Sequence, residues 1–280
     1  MGSIGFWNVR GINSTNKQND VRYFLHNNNV GIFSLLETRV HSNSINKVHQ
    51  GIENNWSLVH NNSVHDGGRI WVIWDSGNYT IDTISIEAQV IYVKVTCITG
   101  QMWWMSVIYG FNRVNERLPL WTSLRSMRQV VNGPWLIMGD FNNVLAMCER
   151  VGSVVSSNEL RGFQDCVDDS GLIDLPAQDA FFTWNNKHEP GDMVLSRIDR
   201  TMSNDDWLLH FSDTTTMFHP QVEFDHCPCT ITLSVGVVRR KESFKYFKMW
   251  GKDPQFLPLV QEIWDKSMYG IKMFQLVKTL

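Results

Sequence analysis

The chain has 280 residues, of which 43% are hydrophobic and 19% charged. That is enough apolar material for one large buried core and excludes a wholly disordered chain. The net charge of −3 is unevenly spread: residues 1–235 hold 16 Lys/Arg against 24 Asp/Glu, and residues 236–280 hold 9 against 4. An acidic body argues against tight non-specific nucleic-acid binding, and no apolar run reaches the roughly 18–20 residues of a membrane span.

Ile4–Val9 reads as a strand ending in the polar turn Arg10-Gly11-Ile12-Asn13. Ser14 or Thr15 caps a helix to about Asn27, with Val21, Phe24 and Leu25 on one face. Ile32–Leu36 is an apolar strand, and Ser42 to Gln50 a short helix. Five strands follow at hairpin spacing: Trp56–His60, Arg69–Trp74, Tyr79–Ile86, Gln89–Ile98 and Met102–Tyr109. Glu116 to Val131 is a helix stopped by Gly133-Pro134, and Trp135–Met138 a buried strand running into Gly139-Asp140-Phe141-Asn142. Asn158 to Ser170 is helical, and short strands are expected near Phe181–Trp184, Val194–Asp199, Thr214–Phe218 and Pro228–Leu233. Helices interleaved with a hairpin-rich body imply two sheets packed face to face with helices outside, an α/β (α+β) sandwich. Beyond Val235 the basic string Arg239-Arg240-Lys241 opens an amphipathic, helical appendage.

Five cysteines, and no basic leader with an apolar stretch in Met1–Arg10, read as reduced thiols in an intracellular protein. The sequence carries no signal for oligomeric state.

The chemistry lies in isolated polar residues. Asn8, Glu37, Tyr109, Asp140 and Asn142 each stand at or just past the end of an apolar strand, and Asp199 and Asp225-His226 are similarly placed. Strand ends are where a rigid scaffold presents side chains to a cleft. Four carboxylates, two amides, a phenol and an imidazole suit a hard divalent cation and an anionic substrate. Hydrolysis of a phosphate ester fits better than acyl or hydride transfer, since G-x-S-x-G, P-loop and G-x-G-x-x-G patterns are absent. Taken singly, a lone Asn or Asp after a strand is most often a turn residue, Glu37 a solvated strand end and Tyr109 a core-edge residue. His226 with Cys227, Cys229 and His219 offers a zinc set, but lacks a second C-x₂-C or H-x₃-H pair.

The strings WNVRGIN (7–13), LLETR (35–39), VIYGFN (107–112), GDFN (139–142), SRIDR (196–200) and FDHCP (224–228) occur in this order. As an ordered set they resemble the endonuclease/exonuclease/phosphatase superfamily, and within it the endonuclease domain of plant non-LTR (LINE-type) retrotransposons. The spacers PWLIMGDFNNVL (134–145) and FFTWNN (181–186) fit the same pattern. The resemblance covers about residues 3–234. It implies a four-layered sandwich like deoxyribonuclease I over residues 1–235. Residues 236–280 would then be a basic linker or the truncated start of a reverse transcriptase region, since FKYFKMWGKDPQF (244–256) resembles the joining stretch of such elements.

The resemblance assigns roles residue by residue. Glu37 matches the principal Mg²⁺ ligand (Mn²⁺ being the alternative ion), with Asn8 and Asp225 beside it. Tyr109 matches the tyrosine on the scissile phosphate. Asp140 and Asn142 match the pair that positions water and phosphate, Asp140 being the favoured base. Asp199 matches the acid that orients the histidine, and His226 the group that binds or protonates phosphate oxygens. Thr183 matches a threonine near the cleft. Asn112, Arg113, Arg10, Arg39 and Arg197 sit in or beside the motifs, within reach of a DNA backbone.

DNA is thus the expected substrate, with no organic cofactor, no membrane and a nuclear site of action. One departure stands out: Phe224 replaces the serine usual before Asp-His, and its bulk threatens the placement of Asp225 and His226. Two alternatives follow, a catalytically impaired remnant that keeps the fold, and a phosphomonoesterase or lipid phosphatase on the same fold.

Overall fold

A computed structural model describes residues 2–65, 67–221, 224–233, 254–258 and 261. The chain divides into two compact units, Met1–Val235 and Gly236–Leu280. In the second, only a helical stretch at 256–258 and residue 261 is described as regular structure. The basic helical appendage expected over 236–280 therefore lies almost entirely outside the described residues.

In chain order the first unit runs β1 (Ser3–Asn8), α1 (Thr15–Asn27), β2 (Val30–Leu36), α2 (Ile45–Ile52), β3 (Ser57–His60), β4 (Ile70–Trp74), β5 (Tyr79–Ile86), β6 (Val90–Cys97) and β7 (Met102–Tyr109). It continues with α3 (Leu118–Val130), β8 (Trp135–Asp140), β9 (Arg150–Val151), α4 (Ser157–Asp169), β10 (Ile173–Asp174) and β11 (Ala177–Asp179). It closes with β12 (Trp184–Asn185), β13 (Leu195–Ser196), β14 (Asp199–Ser203), α5 (Asp205–His210), β15 (Thr215–Phe218) and β16 (Cys229–Thr232).

One sheet has seven strands in the order β11-β15-β16-β1-β2-β4-β3 and the other six, β10-β14-β8-β7-β6-β5. A small sheet, β12-β13-β9, stands apart from them. The parallel pairs β1/β2 and β7/β8 run through the middle of the two large sheets.

Strand alternation builds the layers. Ile4, Phe6, Ile32, Leu36, Val107, Leu136 and Met138 point inward and fill the space between the sheets. The opposite faces are equally apolar. Trp7, Phe33 and Leu35 meet Val21 and Leu25 of α1 and Val48 and Ile52 of α2. Tyr92, Ile108 and Ile137 meet Leu120, Trp121 and Leu124 of α3 and Phe163 and Cys166 of α4. The result is helix, sheet, sheet, helix: the four-layered α/β sandwich expected from the sequence.

Local chemistry sets the element ends. Ser14 accepts the Lys17 N–H and caps α1, and Ser156 accepts the Glu159 N–H and caps α4. Gly139 sits at φ 137°, where a Cβ would run into the backbone of Ile108; the glycine lets β8 lie close beside β7.

Several details differ from expectation, among them the short strands β9, β10 and β11, which are too brief to leave a pattern. The strand expected over Val194–Asp199 is two strands, β13 and β14, because the chain leaves the small sheet and enters the six-stranded one at Arg197-Ile198. Phe181 and Phe182 carry a strand-like apolar signal, yet only Trp184 and Asn185 pair. The six-residue α5 is too short to leave a periodic signal; Asn204 caps it by accepting the Trp207 N–H. All five cysteines are free, and no helix among the described residues is long and apolar enough to cross a membrane.

Candidate active site

The inward rows of β1, β7 and β8 end in polar residues. Asn8 follows Ile4 and Phe6, Tyr109 follows Met105 and Val107, and Asp140 follows Leu136 and Met138, each keeping the two-residue alternation. Glu37 is the first residue past β2. In the ladders Tyr109 lies opposite Asp140, and Asp140 opposite Asp199. Two apolar sheets thus carry their polar ends to one edge of the sandwich.

There they line a cleft of about 480 Å³. Asn8, Glu37, Asp140, Asn142, Asp225 and His226 all border it. Tyr109, 5% exposed, and Asp199, fully buried, are ladder neighbours of Asp140 behind its wall. The backbone is contorted here: Arg10, Glu37, Arg39 and Asn142 all have φ between 43° and 53°. Non-glycine residues in that left-handed region cluster at functional sites because packing must hold them there.

Asp140 is the most tightly held group. Its Oδ1 accepts the Asn142 N–H at 2.8 Å and its Oδ2 accepts Asn8 Nδ2 at 2.8 Å. Complete burial, reinforced by the negative charge of Asp199, pushes its carboxyl up to about 7, although His226 and the two hydrogen bonds pull the other way. His226 donates from Nδ1 to Asp199 Oδ2 at 2.9 Å, and its Nε2 lies 4.0 Å from Asp140 Oδ2. Burial opposes a charged imidazole, but Asp199 in contact, with Asp140 and Asp225 nearby, outweighs it and holds the ring protonated up to about 9. Burial also pushes the Tyr109 phenol up, aided by Glu37 and Asp140, so it stays a neutral hydroxyl.

The remaining acids face basic groups. Asp225 Oδ2 accepts from Arg10 and, at 3.3 Å, from Trp184 Nε1. Glu37 Oε1 accepts Arg39 Nε at 3.0 Å, with Arg69 at 3.9 Å. Among the described residues no hydrogen bond falls on Glu37 Oε2.

Two donor sets invite a metal. Asp140, Asp199 and His226 bring ligand atoms within 4.8 Å of one another. Asp199 is spent on His226 Nδ1 and the Asp140 oxygens on Asn8 and Asn142, which leaves His226 Nε2 free toward the cleft, so this trio suits proton handling better. Glu37, Asp225 and Asn8 are hard oxygen donors lining one cleft, each with acceptor capacity left, and they fit a small dication that keeps several waters. The zinc set is not assembled: His219 Nε2 bonds Thr230 Oγ1, and Cys227 and Cys229 are buried thiols.

Some sequence-derived residues sit elsewhere. Thr183 is fully buried and does not border the cleft; its Oγ1 accepts the N–H groups of Ile198 and Asp199 at 3.2 and 3.0 Å, fixing the start of β14. Arg113 is turned outward beside Glu116. Arg197 pairs with Asp174 and lies over Phe181. Arg10, Arg39 and Asn112 do border the cleft. Phe224 faces away from it, against Trp7 at 4.2 Å between ring centroids, under Lys17 Nζ and within the layer beneath α1. Asp225 is bonded by Arg10 and Trp184 and His226 by Asp199, with the Phe224 ring packed outside the cleft. Sequence reasoning passed over Arg150, Glu159, Asn186 and Ser196, which complete one wall of the cleft. Asn186 closes the FFTWNN string and Ser196 opens SRIDR, whereas Arg150 and Glu159 stand in no motif.

No family model matches the sequence, and no curated protein matches it significantly. Solved structures do match. The 3′ phosphatase NExo from Neisseria, bound to a product DNA hairpin, shares 18% identity over 84% of this chain and 100% of its own, with a TM-score of 0.62. The fold is that of the endonuclease/exonuclease/phosphatase proteins. A second structure of this fold, the AP endonuclease LMAP from Leishmania major, gives 15% identity, 82% and 86% coverage and a TM-score of 0.63. The endonuclease domain of TRAS1, a telomere-specific non-LTR retrotransposon, gives 10%, 84% and 98%, and 0.62. At such identities the likeness shows the endonuclease/exonuclease/phosphatase fold alone, on which the site described above is built.

Proposed function

We propose that this protein is a metal-dependent phosphodiester hydrolase that nicks DNA, the endonuclease of a LINE-type retrotransposon acting in the nucleus. The observation that carries the reading is the convergence of Asn8, Glu37, Asp140, Asn142, Asp225 and His226 on one cleft, from strand ends far apart in sequence. The ordered motifs favour the retrotransposon context, and the basic composition of residues 236–280 suits a DNA-proximal segment.

In-line attack on a phosphodiester needs a held water, a base and stabilisation of charge on phosphorus oxygens. Asp140, with a carboxyl near neutrality and both oxygens fixed, takes the proton of the water. His226, oriented by Asp199, presents Nε2 to a phosphate oxygen as a charged donor. Asn142, which borders the cleft beside Asp140, orients the phosphate, and the neutral Tyr109 hydroxyl backs Asp140 from the neighbouring strand. Glu37, Asp225 and Asn8 would hold Mg²⁺ (or Mn²⁺). When bound, the ion supplies Lewis-acid polarisation of the phosphate and charge neutralisation at the leaving oxygen.

Product analysis tests the substrate class. With Mg²⁺, internal strand cleavage of duplex DNA is expected, without phosphate release from inositol phosphates. Phosphate release without strand cleavage would place the activity with the phosphomonoesterases instead.

A further inference from the structure

This inference rests on the reading above, that Glu37 and Asp225 hold a dication. Each of these carboxylates is engaged by an arginine of the cleft rim: Arg39 binds Glu37 Oε1, and Arg10 binds Asp225 Oδ2. A guanidinium and a dication on one carboxylate repel each other, so the same acids are contested by two kinds of cation. The arginine side chains are half exposed, at 56% for Arg10 and 50% for Arg39. Their partners Asp225 and Glu37 are only 7% and 12% exposed, so a guanidinium can leave for solvent but the carboxylate it leaves must take another cation.

The backbones that carry them are fixed. Arg10 and Arg39 both sit in the left-handed region, at φ 43° and 53°. Lys17 Nζ clamps the carbonyls of Val9, Arg10 and Gly11 at 2.8, 3.2 and 3.0 Å. Asn13 Nδ2 holds the Arg39 carbonyl at 2.8 Å, and the Gly11 N–H holds the Glu37 carbonyl at 2.7 Å. Only the side chains are left to swing, and both border the cleft. A guanidinium released from a carboxylate finds an equivalent bidentate partner in a phosphate. Arg69 is different: it is less exposed, lies 3.9 Å from Glu37 and rests over the Tyr109 ring at 5.9 Å, so it is placed to stay.

We propose that Arg10 and Arg39 are exchangeable counter-cations, each trading its carboxylate for a backbone phosphate as the dication binds, so that metal and DNA bind cooperatively. Linkage makes the cooperativity reciprocal: DNA tightens the metal by the factor by which the metal tightens DNA.

The test is Mn²⁺ binding to the full chain, read as free Mn²⁺ by electron paramagnetic resonance, with and without a short DNA duplex. Arg39→Gly, which suits the positive φ, and Arg10→Gly are compared with the wild type, and Arg113→Ala serves as a remote charge control. Without DNA, Arg39→Gly is expected to tighten Mn²⁺ about fivefold, a typical lower bound for coupling between sites. In the same variant the gain in Mn²⁺ affinity on adding DNA shrinks. Arg10→Gly shifts both readings in the same direction, and Arg113→Ala leaves Mn²⁺ affinity unchanged. Unchanged or weaker Mn²⁺ binding in both glycine variants would overturn the exchange, as would equal tightening in Arg113→Ala. Glu37→Gln separates the two layers: if it abolishes Mn²⁺ binding while the glycine variants behave as wild type, the exchange alone fails. If Glu37→Gln binds Mn²⁺ as wild type does, the metal assignment fails and takes the exchange with it. Thermal melts confirm that each variant is folded before its affinity is read.

Discussion

Asn8 donates from Nδ2 to Asp140 Oδ2 at 2.8 Å, joining the last residue of β1 in one sheet to the last residue of β8 in the other. The bond crosses the sandwich where its apolar interior ends. It also fixes one oxygen of the carboxylate assigned as base. Asn8→Ala removes that donor from the ionised form. The Asp140 carboxyl then rises further, and the acidic limb of the pH–rate profile moves to higher pH. A profile of nicking rate against pH reads the shift; an unmoved limb would detach Asn8 from the base.

Asp199→Asn is expected to lower the nicking rate by about 100-fold, in the range of a misplaced acid–base group. The His226 ring loses the charge that keeps it protonated and the acceptor that orients it. Single-turnover kinetics check this, with DNA affinity changing far less than the rate.

Stability should depend on pH through His226. Its folded-state proton is held up to about 9, above the ordinary value of 6.5. The stabilisation is fully present below pH 6.5 and is lost as pH rises towards 9. Asp140 acts in the same direction at lower pH, because a raised carboxyl costs stability as it ionises. Melting temperature in chelator should therefore fall between pH 6.5 and 9, and His226→Asn should flatten that fall.

Thr183→Val deletes an acceptor that serves two buried N–H groups. Each unsatisfied donor costs about 1–3 kcal/mol. The variant should unfold at lower denaturant and nick more slowly as Asp199 loosens, and Thr183→Ser should restore both.

Phe224→Ser installs the serine found there in the family this chain resembles, and the change is expected to be harmful. The ring is buried against Trp7 in the layer under α1. Removing a buried phenylalanine costs about 3–5 kcal/mol. Denaturant midpoints should drop accordingly, and the nicking rate below the melting temperature should gain nothing.

Those two residues also mark where the sequence stops being informative. Asn8, Tyr109 and Asp140 were legible because strand alternation is local: an inward row of Ile4 and Phe6, or Leu136 and Met138, says where the next side chain points. Asp199 and Asp225-His226 stand beside short β runs, too short for periodicity, and the order of their motifs is what gives each a role. Thr183 is expected near the cleft only because it matches a threonine of the resembling family; its task in the structure is set by where Ile198 and Asp199 arrive. Phe224 looked obstructive because its refuge, between Trp7 and Lys17, comes from the other end of the chain. Arg150 and Glu159 gave no signal, for an ion pair at the edge of a groove leaves no local pattern.

The most direct measurement is conversion of supercoiled plasmid to open circles by the purified chain with Mg²⁺, beside a folded Asp140→Ala/His226→Ala control. The cleft described here predicts nicking that chelator abolishes and the double variant lacks. Open circles at the same rate in both proteins, or in neither, would contradict it.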